Sequence, residues 1–487
     1  IRDGRIVAIE PLGSGLTGTE VIELADDQVM IPGLVDTHVH VNEPGRTHWE
    51  GFASATLAAA LGGVTTFVDM PLNSVPPTTT VAHLHTKQAA AAGQLAVDVA
   101  FWGGAVPGNA GDLEALWDAG VLGFKCFLSP SGVAEFPPLA PDEFCAALRT
   151  VAGFGGLVVV HAEDAGVLDA APARPSRAYA DFLLSRPDEA ETRAIRQVLD
   201  GARETGARVH VLHLSSARAL PLLRAAKDEG LPVTVETCPH YLTFTAEQVP
   251  DAAPQFKCCP PIRDAANRDE LWAALVEGVV DCVVSDHSPA TAEEKQRGDG
   301  DLQQAWGGVS SLQVGFPAVV AEAARRGIDI ETVSGWMSRA TADLVGFAGK
   351  GRIAVGADAD LLVHDTAEDT VAFGAELGRQ LRAGDVVVLS GPLGAGKTVL
   401  AKGIAQGMDV EGPVISPTFV LARVHRARRP GAPTMVHVDL YRLLDQPSVD
   451  LLARIGLWDR LAPPAAPPQV MRNPGAGGGG AGAPPPP

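Results

Sequence analysis

The chain has 487 residues, 46% of them apolar and 20% charged, with 58 acidic against 38 basic side chains and a net charge of −20. That length predicts two or three domains, and the composition excludes a chain disordered throughout. The charge argues against nucleic acid as the main partner. It is also uneven: residues 1–366 hold 48 acidic and 26 basic residues and residues 367–487 hold 10 and 12, which predicts two units of different origin.

The sequence opens on Ile1, and the phrase Arg5–Ile9 that follows is strand-like, so the N-terminus reads as that of a fragment. From residue 33 to 289, short β-rich runs alternate with Ala-rich helical stretches. The eight runs are 33–41, 65–71, 95–104, 121–129, 157–163, 208–215, 233–241 and 279–288. Eight strand–helix units over about 250 residues predict an α/β fold, a (β/α)8 TIM barrel, rather than an open doubly wound sheet. Two short alternating phrases, 4–12 and 351–364, flank it and predict a small β-sandwich made from both ends of that domain (residues 1–32 with 345–366), around a barrel of residues 33–344.

A second unit, residues 367–460, reads as a helix (372–383), a buried strand (385–390) and a Gly-rich loop opening another helix. From residue 461 to 487 the chain is Pro-, Ala- and Gly-rich and is expected to be disordered. Six cysteines, with no C-x2-4-C pair, predict reduced thiols. No apolar run reaches the ~18 residues that span a bilayer, so a cytoplasmic location is expected.

Polar residues interrupt the barrel strands at their ends. In Asp36-Thr37-His38-Val39-His40 the two imidazoles are two residues apart on a strand and point the same way, a pattern suited to a divalent metal. Lys125 is one of only eight lysines and sits in an otherwise apolar strand, where an unpaired ammonium is costly. It is either salt-bridged or snorkelling, or a neutral amine that takes up carbon dioxide as a carbamate. His161, His213 and Asp286 end the fifth, sixth and eighth runs, at the barrel face where active sites lie. Four histidines, one aspartate and a carbamate suffice for two metals. His240 faces the same mouth, either contacting substrate or packing. His210 lies deeper and is expected to pack, while His83 and His85 read as solvated.

These residues resemble the cyclic amidohydrolases (dihydroorotase, hydantoinase and allantoinase), the allantoinase branch most closely. The matching phrases are 35–51, Asp69-Met70-Pro71-Leu72-Asn73, Gly123-Phe124-Lys125-Cys126-Phe127, Glu236-Thr237-Cys238-Pro239-His240, Cys259-Pro260-Pro261-Ile262-Arg263 and Ser285-Asp286-His287-Ser288-Pro289. The resemblance implies two divalent metal ions, zinc by expectation. His38, His40 and Asp286 would hold one, His161 and His213 the other, and carboxylated Lys125 would bridge them. It further implies a cyclic-amide hydrolase in which Asp286 moves the proton, with substrate contacts from Asn42, Asn73, Ser129, His240, Ser288 and Gly308. A homo-oligomer, tetrameric in the family, is expected. Asn42 stands where dihydroorotases carry a carboxylate-gripping Arg, which fits the neutral substrate allantoin.

In the second unit, Gly391-Pro392-Leu393-Gly394-Ala395-Gly396-Lys397-Thr398 fits GxxxxGK[ST] between a strand and a helix. ATP with Mg is the expected ligand. With 414–419 and 437–442, this stretch resembles the small ATPase required for threonylcarbamoyladenosine synthesis on transfer RNA. That likeness implies a nucleotide-responsive Thr418, a metal-side Asp439 and tRNA-modification proteins as partners. Three alternatives stay open: an accessory protein of tRNA modification with the barrel as passenger, an artificial join of two incomplete units, or a hydantoinase, dihydropyrimidinase or dihydroorotase activity.

Overall fold

The computed structural model describes residues 1–11, 13–25, 28–365, 375, 377–382, 397–411, 422–429 and 433–438. The chain divides into two compact units near residue 367. In the first, parallel strands follow one another in the order of the chain: β2 Leu34–Val39, β3 Val64–Asp69, β4 Asp98–Phe101, β5 Gly103–Gly104, β6 Phe124–Phe127, β7 Leu157–His161, β8 Arg208–Val211, β9 Val233–Thr237 and β10 Cys282–Val283. β4 and β5 are one run divided at Trp102; the first half pairs with β3 and the second with β6. The eighth run closes against the first: the His40 N–H donates to the His287 carbonyl (2.8 Å), and Val39 and His287 form a parallel bridge. All eight expected runs are present, and the fold is a TIM barrel.

Strands covered on both faces must be apolar throughout. β7, Leu157-Val158-Val159-Val160-His161, is buried at all five positions. The surrounding helices are one-sided. In Pro141–Gly153 the buried residues Phe144, Ala147, Leu148 and Val151 recur at three- and four-residue steps. The Glu143 carboxylate accepts the Ala140 N–H at that helix's start (2.9 Å).

At the lower rim, β1 Gln28–Pro32 runs antiparallel to β11 Leu361–Asp365. Residues 4–11 do not form the expected continuous strand, and Leu12 lies outside the described residues. They contribute a bridge from Arg5 to Asp358 and a bond from the Ile6 N–H to the Ala357 carbonyl (2.9 Å). Gly4, at φ 73°, lies in the turn that brings Arg5 back to Arg2.

The second unit contains the helix Lys397–Gly407 and a hairpin of β12 Ala422–His425 with β13 Met435–Val438, over a small core of Ala401, Ala405 and Val410. The helix expected after the Gly-rich loop is there, as is the strand leading to Asp439. Gly391, Gly394, Gly396, Thr418, Asp439, the strand 385–390, most of the helix 372–383 and the tail 461–487 lie outside the described residues. So do the side chains of Lys397 and Thr398. Among the described residues no helix is long and apolar enough to cross a membrane.

Candidate metal centre

The C-terminal ends of the strands bring all six expected ligand residues into one buried cluster. β2 and the residue after it supply His38 and His40, β6 supplies Lys125 and β7 supplies His161. His213 and Asp286 follow β8 and β10. His38 Nε2 lies 3.1 Å and His40 Nε2 3.6 Å from Asp286 Oδ1, and ligand atoms of the three fall within 4.8 Å of one another. His161 Nδ1 is 3.0 Å from His213 Nε2. The His38 ring centroid is 5.3 Å from those of both His40 and His213, which joins the two groups. Lys125 Nζ sits 4.6 Å from the centre of the Phe127 ring, within electrostatic reach of Asp286 and Glu236.

The backbone is strained here. His213 (φ 36°), Asp286 (φ 45°) and Asn73 (φ 73°) occupy the left-handed region that non-glycine residues avoid.

Charge is distributed unevenly. Burial pushes His40 down to about 4 and lowers His161 and His213 as well, so these imidazoles are neutral and free to donate lone pairs. Burial also lowers Lys125, to about 8, against the pull of Asp286 and Glu236. For Asp286 burial favours the neutral acid, but His38, His40 and His213 outweigh it and hold the carboxyl well below its usual range. His38 Nε2, His40 Nδ1 and His213 Nδ1 are buried without a hydrogen-bond partner. Native interiors rarely leave such atoms orphaned.

Of the residues expected to contact substrate, Asn42 lies beyond β2, Asn73 beyond β3, Ser129 beyond β6 and His240 beyond β9. Asn42 is fully buried; its Nδ2 donates to the Pro289 carbonyl (3.4 Å) and its Oδ1 has no partner. The Asn73 carbonyl accepts from Arg46 Nη1 (2.8 Å). Ser129 Oγ and both His240 nitrogens are buried and unpartnered. Gly308, at φ 111°, packs so closely on Ser288 that a Cβ would meet the Ser288 carbonyl oxygen at 2.3 Å, so only glycine fits.

Several supporting groups are not among the expected site residues, although Asp36, Glu50, Asp69 and Glu236 stand in the phrases that carry the resemblance. Glu236 Oε1 takes His38 Nδ1 (2.5 Å), while its Oε2 takes His210 Nε2 (2.9 Å). His210 is therefore a hydrogen-bonding member of the cluster and not the packing residue expected. Glu163 holds His161 Nε2 (2.8 Å) and is itself held by Arg186. Asp36 accepts the His38 and Ser285 N–H groups, and Glu50 meets His287 Nε2 at 2.5 Å. The Asp69 carboxylate takes the Val41 N–H (2.8 Å) and pairs with Lys87 Nζ (2.6 Å).

Residues 29–412 match the amidohydrolase family. This chain belongs to that family. Residues 364–463 match a second description, threonylcarbamoyl adenosine biosynthesis protein TsaE. Over 360 residues this amidohydrolase is 59% identical to the allantoinase of Streptomyces avermitilis, a match covering 74% of the chain and 80% of that protein. The allantoinase of Saccharomyces cerevisiae is 49% identical (69% and 74%), and the mitochondrial allantoinase of Aquarana catesbeiana 47% (71% and 72%). Among solved structures, the L-hydantoinase of Arthrobacter aurescens superposes with a TM-score of 0.70 at 32% identity, covering 74% of this chain and 81% of that one.

Proposed function

We propose that the barrel is an allantoinase, opening the ring of allantoin by adding water across a cyclic amide C–N bond to give allantoate. The observation that carries the reading is the cluster of neutral imidazoles, Asp286 and Lys125, with three ring nitrogens buried and unpartnered. Those orphan lone pairs fit divalent ions. His38, His40 and Asp286 would hold one ion and His161 and His213 the other. Lys125 would be the shared ligand if its neutral amine added carbon dioxide as a carbamate, a state that its lowered proton affinity favours. Bound zinc or a similar ion would polarise the scissile carbonyl and lower the pKa of water.

The chain's own residues then move the proton. Asp286, ionised and in contact with His38 and His40, accepts a proton from the attacking water and returns it to the departing ring nitrogen. Asn42, Asn73, Ser129, His240, Ser288 and Gly308 surround the ring and the ureido arm. A neutral Asn42 in place of a cation leaves no partner for a substrate carboxylate, which favours allantoin over dihydroorotate.

We assign the second unit, through its GxxxxGK[ST] phrase (Gly391, Gly394, Gly396, Lys397, Thr398) with Thr418 and Asp439, to ATP and Mg, with tRNA-modification proteins as its partners. The units divide as residues 1–32 with 345–366, 33–344, 367–460 and 461–487. The protein works as a homo-oligomer. It belongs to a reducing, cytoplasmic setting, consistent with six free cysteines.

The deciding experiment is ring opening of allantoin by purified protein supplied with divalent metal and bicarbonate, with hydantoin and dihydroorotate in parallel. Selective allantoin turnover is expected. A folded, metal-loaded sample that turns over only hydantoin or dihydroorotate would overturn the substrate assignment.

A further inference from the structure

Among the described residues, three groups of metal-ligating side chains bring their ligand atoms within 4.8 Å of one another, and all eight residues, Asp286 being shared by two groups, are buried. The first, His38–His40–Asp286, belongs to the proposed reaction. The second, His210–Glu236–Cys282, is closed. His210 Nε2 is bonded to Glu236 (2.9 Å), its Nδ1 to Thr234 Oγ1 (2.7 Å), and the other Glu236 oxygen to His38. No imidazole lone pair is left there for an ion.

The third group, Cys238–His240–Asp286, is different. His240 is 2% exposed, and neither of its ring nitrogens has a hydrogen-bond partner. Its ring packs edge-on against Tyr241 at 4.2 Å, which fixes its plane. Cys238 is fully buried and immediately precedes the short helix Pro239–Thr243 that carries His240. Asp286 is the shared member, with Oδ1 turned toward His38 and His40, and a carboxylate has a second oxygen to offer. Sulfur, imidazole and carboxylate together make a three-ligand set with an open position, suited to soft or borderline ions.

We propose that Cys238, His240 and Asp286 form an inhibitory site for a thiophilic divalent cation, separate from the two catalytic ions. A bound ion would take Cys238 as the thiolate, its proton leaving to solvent. The ion inhibits by drawing Asp286 away from proton transfer and His240 away from substrate. Inhibition thus rests on the reaction proposed above, whereas binding does not. Losing a positioned general acid–base group costs about 1,000-fold in rate, and saturation of this site is expected to lower turnover by that order.

The test uses zinc-loaded full-length protein titrated with cadmium. None of the proposed catalytic ligands is a thiol, so cadmium exchanging into the catalytic positions gives no sulfur signal. An ultraviolet thiolate-to-cadmium charge-transfer band should grow in step with the loss of allantoin ring opening. Cys238→Ser should show neither effect and keep the parent rate without cadmium, while Cys259→Ser should behave as the parent does. Cadmium-edge X-ray absorption on the parent needs no variant and should find a sulfur neighbour.

A folded parent that binds cadmium with no sulfur signal would overturn the site. So would a Cys238→Ser protein with the same band and the same inhibition. If the parent opens no allantoin at all, the substrate reading fails, while the charge-transfer band and the absorption edge still decide the site.

Discussion

The two ends of the barrel handle charge in opposite ways. At the lower rim Lys350 reaches Asp98 (2.6 Å), Asp360 (2.8 Å) and Asp358 (3.3 Å), and Arg5 adds a second cation to Asp358 (3.2 Å). Both of these cations have anions, and the groups are partly solvated. At the upper rim four imidazoles and an amine crowd into a dry pocket with three ring nitrogens unpartnered, and two of the proposed ligands sit on strained backbone. Pairing at the lower rim serves the fold. The upper rim spends stability on groups that become satisfied only when something binds, which is the usual relation between a fold and the site it carries.

The sharpest way to break that contrast is Asp286→Asn. It keeps the side chain's shape and removes the proton acceptor, so turnover should fall about 1,000-fold or more with the circular dichroism spectrum and thermal midpoint retained. Near-parental activity in that variant would remove the proposed mechanism.

Lys125→Met separates function from stability. Metal content and turnover should both collapse. In metal- and carbonate-free buffer, however, the variant should be more stable than the parent at neutral pH by about 2 kcal/mol, because it buries no ammonium. The sign follows from proton binding. Lys125 is lowered to about 8 in the folded protein, so above that pH the unfolded chain holds the proton more tightly. The parent therefore gains stability as pH rises from about 8 through the ordinary lysine range. Urea titrations across that window should show the slope in the parent and not in the variant; parallel slopes would mean that Lys125 carries no such penalty.

What was legible in the sequence divides along the same line. The eight strands were readable because a strand covered on both faces has no choice but apolar residues. His38, His40, His161, His213 and Asp286 were readable because a polar side chain at the end of such a run has no structural excuse. The partners of the supporting carboxylates were not, although Asp36, Asp69 and Glu236 stand in phrases that carry the resemblance. Glu236 and His210 meet only because β8 and β9 pair in one particular register, and no local pattern encodes that register. Lys87 lies in a helix, Val81–Ala91, that reads as a solvated surface; there His85 is exposed and His83 half-buried beside Thr79, while Lys87 is buried on Asp69. The second unit was legible as a motif, because the Gly-rich phrase is contiguous.

Glu236→Gln tests one of those illegible contacts. The carboxylate accepts His38 Nδ1, His210 Nε2 and the His213 N–H (3.2 Å), whereas an amide has only one accepting oxygen. One imidazole must lose its partner. Metal affinity should drop about 10- to 100-fold, while kcat at saturating metal stays near the parent's. A fall in kcat that excess metal does not restore would place Glu236 in the chemistry itself rather than in orienting His38.

The smallest effect is expected at the lower rim. Lys350→Met leaves Asp98, Asp358 and Asp360 facing one another with only Arg5 nearby. The loss combines weak, partly solvated attraction with the repulsion it had masked, so it should amount to about 1 kcal/mol at low ionic strength. Burial works against the Lys350 charge, but Asp360 and Asp98 outweigh it and raise the amine above its ordinary value; the interaction is therefore electrostatic and should shrink as salt screens it. Chemical denaturation of parent and variant at low and high salt measures that difference directly. Turnover and metal content should not move at either salt concentration, because Asp98 starts β4 while the ligands lie at or beyond the opposite strand ends. If turnover falls while the folded fraction stays constant, the two rims are coupled through the strands, and the division between a stabilising end and a reactive end fails.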